Sequence, residues 1–388
     1  MKRAGLVWCI CVLVALGAAG CGEKAPSTIR VGVIAELTGD MPAVGESCKK
    51  AAQLAVKEMN DTGGVQVGDT RYKVELFIED NAGKADQSAS AAQKLITQQK
   101  VLAIIGPNAT RYAIPASEIA EGSKVLLITP WSTNPKTTVD ARTGAPKKYV
   151  FRACFTDPFQ GRVLARFAMD GLKARKAAVL YDVASDYNKG IAEFFKATFE
   201  QNGGKVVAFE TYTTNDRDFS AQLTKIKKAE PDVVFLPNYY SEVPLQIQQA
   251  RRLAIKAPFL GSDSWGSREL ITLCGNDCEG CYFSTHYAPD AAAPAARRFI
   301  QAFKTAYGGM PDDVAALTYD SFGLFRQAVS EAGTIDRQAV RDALAKIEKY
   351  EGVTGDMQFR EGSSDPVKSA VVLRIKDGSF VYFANAHP

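Results

Sequence analysis

One pattern constrains this chain more than any other: short β-branched runs alternate with longer stretches of helical period, and the series is written once and then begun again. The first series reads TIRVGVIAEL, AVGESCKKAAQLAVKEMN, RYKVELFIED, KADQSASAAQKLITQQ, VLAIIG and KVLLITP. After a polar, proline-bearing stretch from Ser132 to Lys148 it restarts with KAAVLYD, a helix from about Asp186, KVVAFET, DVVFLPNY and PFLGSD. Alternation of this kind lays successive strands parallel and covers both faces of the sheet with helices. The 388 residues also exceed the ~250–300 that a single hydrophobic core accommodates. The predicted fold is therefore α/β, with two Rossmann-like, doubly wound parallel-sheet lobes. Residues from about Ala292 to Lys349 are helix-rich, and Val367 to Ala384 alternate as a terminal hairpin around Asp377-Gly378. No low-complexity linker separates the lobes, so the hinge is expected to consist of ordered strands crossing between them. Ligands of open α/β sheets bind where strands end and loops pass into helices. The loops after Leu37, Gly106, Thr129, Asp182, Leu236 and Gly261 are the ones to inspect.

The first residues have the three-part layout of an export signal: basic Lys2 and Arg3, an apolar core from Leu6 to Leu16, and small residues from Gly17 to Gly20 before Cys21. The apolar core falls short of the roughly 20 residues that span a bilayer. Small residues ending in cysteine resemble a bacterial lipobox, although Ala18 stands where leucine is usual. Residues 1–21 are read as a signal peptide with lipobox Cys21 and residues 22–28 as a tether. This places the protein in the periplasm or at the cell surface, lipid-anchored through Cys21; plain secretion is the alternative. Loss of Lys2 and Arg3 lowers the formal net charge from +4 to +2. The remaining basic pairs, such as Lys49-Lys50 and Arg251-Arg252, are scattered as on solvated helix faces, and no nucleic-acid partner is expected.

Enzyme motifs fail. No GxGxxG or GxxxxGK[ST] phosphate loop occurs, and GSDSWG at 261–266 is out of register for a nucleophile elbow. His286 and His387 are the two histidines; His387 is penultimate, and His286, in STHYAP, reads as a surface or interface residue. No catalytic residue and no cofactor is predicted. Cys274, Cys278 and Cys281 have the CxxxCxxC spacing that holds an iron–sulfur cluster in a reducing cytosol. An exported chain instead meets an oxidising compartment in which thiols pair. A disulfide within this loop is predicted, Cys274 with Cys281 first, since such a loop lets the Cα atoms approach to roughly 6 Å. Cys48 and Cys154 are left either paired with each other or as buried thiols.

The blocks GVIAELTGDMPAVG, LAVKEMNDTGGV, IIGPNATRYAIPAS, VLLITPWSTNP, FRACFTDPFQG, LYDVASDYNKG, DVVFLPNYYSE and FLGSDSWGS follow one another along the chain. In that order they resemble the branched-chain amino-acid-binding proteins of ABC transporters, the leucine/isoleucine/valine-binding type with a type I periplasmic-binding fold. The resemblance implies three crossovers near residues 152, 285 and 357, dividing the chain into residues 29–152 plus 286–357 and 153–285 plus 358–388. It also implies a non-catalytic monomer that delivers an amino acid, aliphatic or branched-chain, to a permease in the inner membrane. Position by position, Thr110 matches the hydroxyl residue that binds the ligand carboxylate, and Thr133 the threonine that touches carboxylate and ammonium. Ser132 lies in the same block. Trp131 takes the position whose carbonyl accepts from the ammonium, and Asp263 that of the acid paired with it. Tyr187 and Tyr239 match tyrosines of the second lobe, and Tyr319 a further pocket tyrosine.

The residue chemistry agrees independently. A zwitterion needs donors for its carboxylate and an anion or carbonyls for its ammonium, and charge-assisted hydrogen bonds are roughly twice as strong as neutral ones. Thr110 precedes a predicted helix at 111–121, whose positive end suits a carboxylate. The bland alternatives are helix caps for Thr110, Thr133 and Asp263, and core packing for Trp131, Tyr187, Tyr239 and Trp265. Two departures concern the side-chain pocket: leucine-binding members are aromatic at Val44 and small at Trp131, so the pocket either shrinks or takes a flat ligand. An aromatic carboxylate is accordingly the alternative solute, and a metal or cluster protein built on Cys274, Cys278 and Cys281 the remote one.

Overall fold

The computed structural model describes residue 1, residues 28–291 and residues 293–386. The rest of the predicted leader, Cys21, the tether up to residue 27 and His387 lie outside the described residues. The first series of elements runs β1 (Thr28–Ala35), α1 (Pro42–Asp61), β2 (Val65–Val67), β3 (Thr70–Asp80), α2 (Ala85–Thr97), β4 (Ala103–Ile105), α3 (Thr110–Gly122), β5 (Leu126–Thr129) and β6 (Val150–Arg152). They form a six-stranded sheet in the order β2-β3-β1-β4-β5-β6. β1 lies at its centre, with Val31 level with Leu76 on one side and Ala103 on the other. Burial on both faces explains why Val31–Ala35 of this strand is a continuous apolar run. The edge pair β2–β3 is antiparallel, unlike the predicted parallel order, because a two-residue connection can join only antiparallel strands.

The second series comprises α4 (Asp157–Arg166), β7 (Lys176–Asp182), α5 (Asp186–Gln201), β8 (Lys205–Tyr212), α6 (Ser220–Lys228), β9 (Val233–Leu236), α7 (Val243–Arg252), β10 (Phe259–Gly261), α8 (Arg268–Cys274) and β11 (Tyr282–Thr285). The chain then returns to the first lobe as α9 (Pro294–Tyr307), α10 (Asp313–Ala332) and α11 (Arg337–Leu344), with α10 packed along α1. β12 (Tyr350–Gly352), β13 (Gly355–Phe359) and β14 (Pro366–Val367) make a small antiparallel sheet. The hairpin β15 (Ala370–Lys376) and β16 (Ser379–Ala386) completes the second sheet, ordered β16-β15-β11-β10-β9-β7-β8. Asp377 and Gly378 both take positive φ at its tip, as a tight two-residue hairpin turn requires.

Two α/β lobes result, and the chain passes between their sheets after β6, after β11 and between β13 and β15. The largest buried apolar cluster is continuous across them, from Val31 and Val44 through Trp131, Tyr187 and Tyr239 to Leu236, Trp265 and Phe283. The lobes are thus drawn together. Arg152, fully buried at the first crossing, ties the crossings to the strand-end loops. Its Nε donates to Asp365 Oδ1 at 2.6 Å, its Nη2 to Thr138 Oγ1 at 2.7 Å and to the Asn134 carbonyl at 3.0 Å, and its Nη1 to the Ser132 carbonyl. Among the described residues no helix is long and apolar enough to cross a membrane.

The cysteine loop corrects the predicted pairing: Cys278, not Cys281, is at bonding distance from Cys274, with Cα atoms 5.7 Å apart. α8 ends at Cys274, Gly275 turns the chain with φ 58°, and one 3-10 turn over Gly275–Cys278 folds Cys278 back. Cys281 has by then entered the approach to β11 and is buried as a free thiol, as are Cys48 and Cys154.

Alkylation of the denatured, unreduced protein should therefore mark Cys281 and leave Cys274 and Cys278 unmarked; protection of Cys281 with labelling of Cys278 would restore the other pairing. Arg152→Met should lose about 3 kcal/mol in chemical denaturation, since it leaves the buried Ser132 and Asn134 carbonyls and the partly exposed Asp365 without their donor. A loss under 1 kcal/mol would show that Arg152 does not staple the crossings.

Candidate functional site

The C-terminal ends of the two sheets face each other. Between them Ala109, Thr110 and Trp131 of the first lobe and Tyr187, Tyr239 and Asp263 of the second enclose a narrow space.

In the first lobe a buried carboxylate organises the wall. Glu36, at the end of β1, accepts from the Asn108 N–H at 3.0 Å, the Asn108 amide at 2.7 Å and the Ala109 N–H at 3.2 Å. Burial raises its carboxyl above the ordinary range. Gly45 of α1 lies so close that a Cβ there would sit 2.2 Å from the Glu36 carbonyl; glycine is required by the approach of two backbones. Glu36 thereby presents the start of α3, whose first N–H groups lack intrahelical partners. Thr110 is the first residue of α3, and its hydroxyl lies 3.1 Å from Ser132 Oγ, which lies 2.7 Å from Thr137 Oγ1. Thr110 is therefore not a cap. Thr133 is buried, and its hydroxyl has no well-directed hydrogen bond among the described residues although it lies beside Asp157. Trp131 donates its indole N–H to Asp313 Oδ2 at 3.0 Å.

In the second lobe the Tyr187 hydroxyl donates to Asp263 Oδ1 at 2.6 Å and lies 2.7 Å from Ser262 Oγ. Asp263 opens a 3-10 turn without capping it. Its other oxygen lies 3.3 Å from His286 Nε2. Of the two places read for His286, surface or interface, the structure gives the second: it is buried and stacked on Phe155 at 3.8 Å, carried under the cleft by the return of the chain after β11. Burial pushes its pKa down to about 4, so the ring is neutral. The rings of Tyr187 and Tyr239 are 5.1 Å apart, and Trp131 is 6.3 Å from Tyr239.

Of the predicted residues, Thr110, Trp131, Tyr187, Tyr239 and Asp263 line the space, and Ser132 and Thr133 stand immediately behind it. Tyr319 is not brought there. Its position on α10 turns it toward α1 and α9, where its hydroxyl donates to Glu58 and its ring packs on Phe299 at 4.7 Å. Trp265 is core: its ring lies under Gly261, and its indole N–H donates to the Leu236 carbonyl at 3.2 Å.

Several neighbours were not read from the sequence. Asp313 begins α10 after Asp312, a helix-start pattern that masks its place behind Trp131. Arg111 pairs with Asp40, and its guanidinium lies 5.1 Å from the Tyr112 ring and 4.9 Å from that of Tyr239, reaching the opposite lobe. Asp157, pushed up to about 7 by burial with Asp263 nearby, accepts from Asn134 across the cleft at 2.9 Å. Among the described residues no three His, Cys, Asp or Glu side chains gather as a metal site.

Two α/β lobes meeting around a polar, aromatic-walled cleft define a solute-binding architecture. The chain belongs to the periplasmic binding protein family, whose model matches residues 28–379. It is 32% identical over 365 residues to Leu/Ile/Val-binding protein homolog 3 of Brucella melitensis, covering 93% of this chain and 95% of that protein. The leucine-binding protein LivK of Thermotoga maritima superposes with a TM-score of 0.86 at 35% identity, over 93% of this chain and 99% of that one. LivJ of Streptococcus pneumoniae, the branched-chain amino acid transporter substrate-binding protein solved with isoleucine, gives 0.84 at 32% identity, over 92% and 100%.

His286 generates a pH prediction. Its native pKa of about 4 lies below the ordinary histidine value of 6.5, so the unfolded state binds the extra proton and stability falls as pH drops through this window. His286→Gln removes that contribution. It should lose less stability than the parent between pH 6.5 and 4, by on the order of 3 kcal/mol. Asp157 and Glu242, both pushed up to about 7 by burial, act in the opposite sense in both proteins. Identical acid profiles would mean that His286 does not titrate on unfolding.

Proposed function

We propose that this protein is the extracytoplasmic receptor of an ABC importer, closing its lobes on an α-amino acid of the aliphatic type and presenting it to an inner-membrane permease. The observation that carries this is the placement of the Asp263 carboxylate, held by Tyr187 and His286, opposite Thr110 at the start of α3 across one small space. An anion on one lobe and hydroxyls with a positive helix end on the other complement an ammonium and a carboxylate on one carbon. Tyr239 supplies a buried hydroxyl without a hydrogen-bond partner among the described residues, and Thr133 one without a well-directed bond. An aromatic carboxylate would leave Asp263 buried opposite no cation, which is costly. The relatives whose names give leucine, isoleucine and valine as ligands support the same head group.

In this reading the lobes comprise residues 29–152 with 286–357 and residues 153–285 with 358–388. The protein works as a monomer, without catalysis or cofactor, tethered through lipidated Cys21. The ligand meets one lobe first, and closure completes the site from the other.

Asp263→Ala should weaken amino-acid binding by on the order of 2–5 kcal/mol in calorimetry, the range for truncating one partner of a buried charge pair. Unchanged affinity would move the ammonium site elsewhere. Titration of the parent with amino acids and with benzoate separates the two solute classes: heat from benzoate alone would overturn the amino-acid reading.

A further inference from the structure

The side-chain end of the cleft is closed by a fixed wall. Trp131 is 5% exposed, and its indole N–H bonds to Asp313 at the start of α10. Asp313 is itself 3% exposed and backed by Gly266 of the other lobe, where a Cβ would come within 2.4 Å of its Oδ1. The indole also faces the Tyr239 ring from across the cleft. It is therefore held by a hydrogen bond within its own lobe and by an aromatic contact from the opposite one. Swinging it aside would orphan a buried N–H and a buried carboxylate, each a cost of the kind folded proteins avoid.

That wall sets the size of what fits. Ala109, Thr110, Trp131, Tyr187, Tyr239 and Asp263 close on one another until no gap wide enough for a water molecule is left between them, so each ligand atom must displace a side chain that can move, and the clamped indole is not one of these. The zwitterionic head group of an α-amino acid, with its α-carbon, already brings five non-hydrogen atoms. Alanine adds one atom and serine two, whereas leucine and isoleucine add four. Val44 does not line this space.

We propose that Trp131, locked by Asp313, restricts this protein to amino acids with the shortest side chains, glycine, alanine and serine, and rejects leucine and isoleucine. The proposal rests on the cleft being an amino-acid site. Trp131 is the specificity residue, and Asp313 positions it.

The test is calorimetry of the parent, Trp131→Ala and Trp131→Phe with glycine, alanine, serine and leucine, with thermal melts to confirm folding. The parent should bind alanine at least about tenfold more tightly than leucine, the lower end of what one extra methylene costs in a closed pocket. Trp131→Ala should shift that ratio toward leucine by about tenfold or more, while Trp131→Phe, which keeps the bulk, should retain the preference for alanine. Leucine binding by the parent as tight as that of alanine would overturn the proposal, as would a folded Trp131→Ala with the parent's ratio. Should Trp131→Ala fail to fold, the parent's ratio decides alone. Absence of binding to any amino acid would instead overturn the reading of the cleft, and this proposal with it.

Discussion

The Asp263 carboxylate is buried, yet no guanidinium or ammonium of the described side chains bonds to it; Tyr187 and neutral His286 are what hold it. Burying a charge is tolerated only where partners compensate it. Much of the second lobe is arranged to supply them. Tyr187 arrives on α5, Ser262 and Ser264 brace the loop after β10, and His286 comes from the crossing after β11. In the proposed function a ligand ammonium completes the set, and binding then depends on the position of a crossing strand.

The first lobe solves the complementary problem. Glu36 spends its acceptor capacity on the loop before α3, so that Thr110 and the positive end of the helix face the cleft. Arg152 does for the loop after β5 what Glu36 does for the loop after β4: it holds the Ser132 and Asn134 carbonyls while anchoring Asp365 from the last crossing. Both are buried charges far apart in sequence from what they hold. Arg111 and Asn134 then reach over the gap to Tyr239 and Asp157, so the closed arrangement has polar contacts of its own beside the aromatic ones.

Much of this was legible before any coordinates. The two series of strands and helices, the terminal hairpin and the loops at the strand ends follow from local periodicity, because a strand buried on both faces must be apolar throughout and a covering helix must be amphipathic. Thr110, Trp131, Tyr187, Tyr239 and Asp263 lie at strand ends or helix starts, where α/β sheets place their sites. The β2 strand, three residues long, carried too little pattern to be seen. Tyr319 was misplaced because block order aligns a helix only to within a turn, and a shift within a turn changes the face.

The amino-acid sequence by itself determined the elements, their alternation and the strand ends that converge, since these depend on interactions between near neighbours along the chain. Tertiary structure alone decided that His286 lies beneath Asp263, that Cys278 rather than Cys281 meets Cys274, and that Asp313 clamps Trp131. These contacts depend on the crossings and on single turns of backbone. A residue 182 positions away in the chain fixes the indole, and no local pattern encodes such a distance.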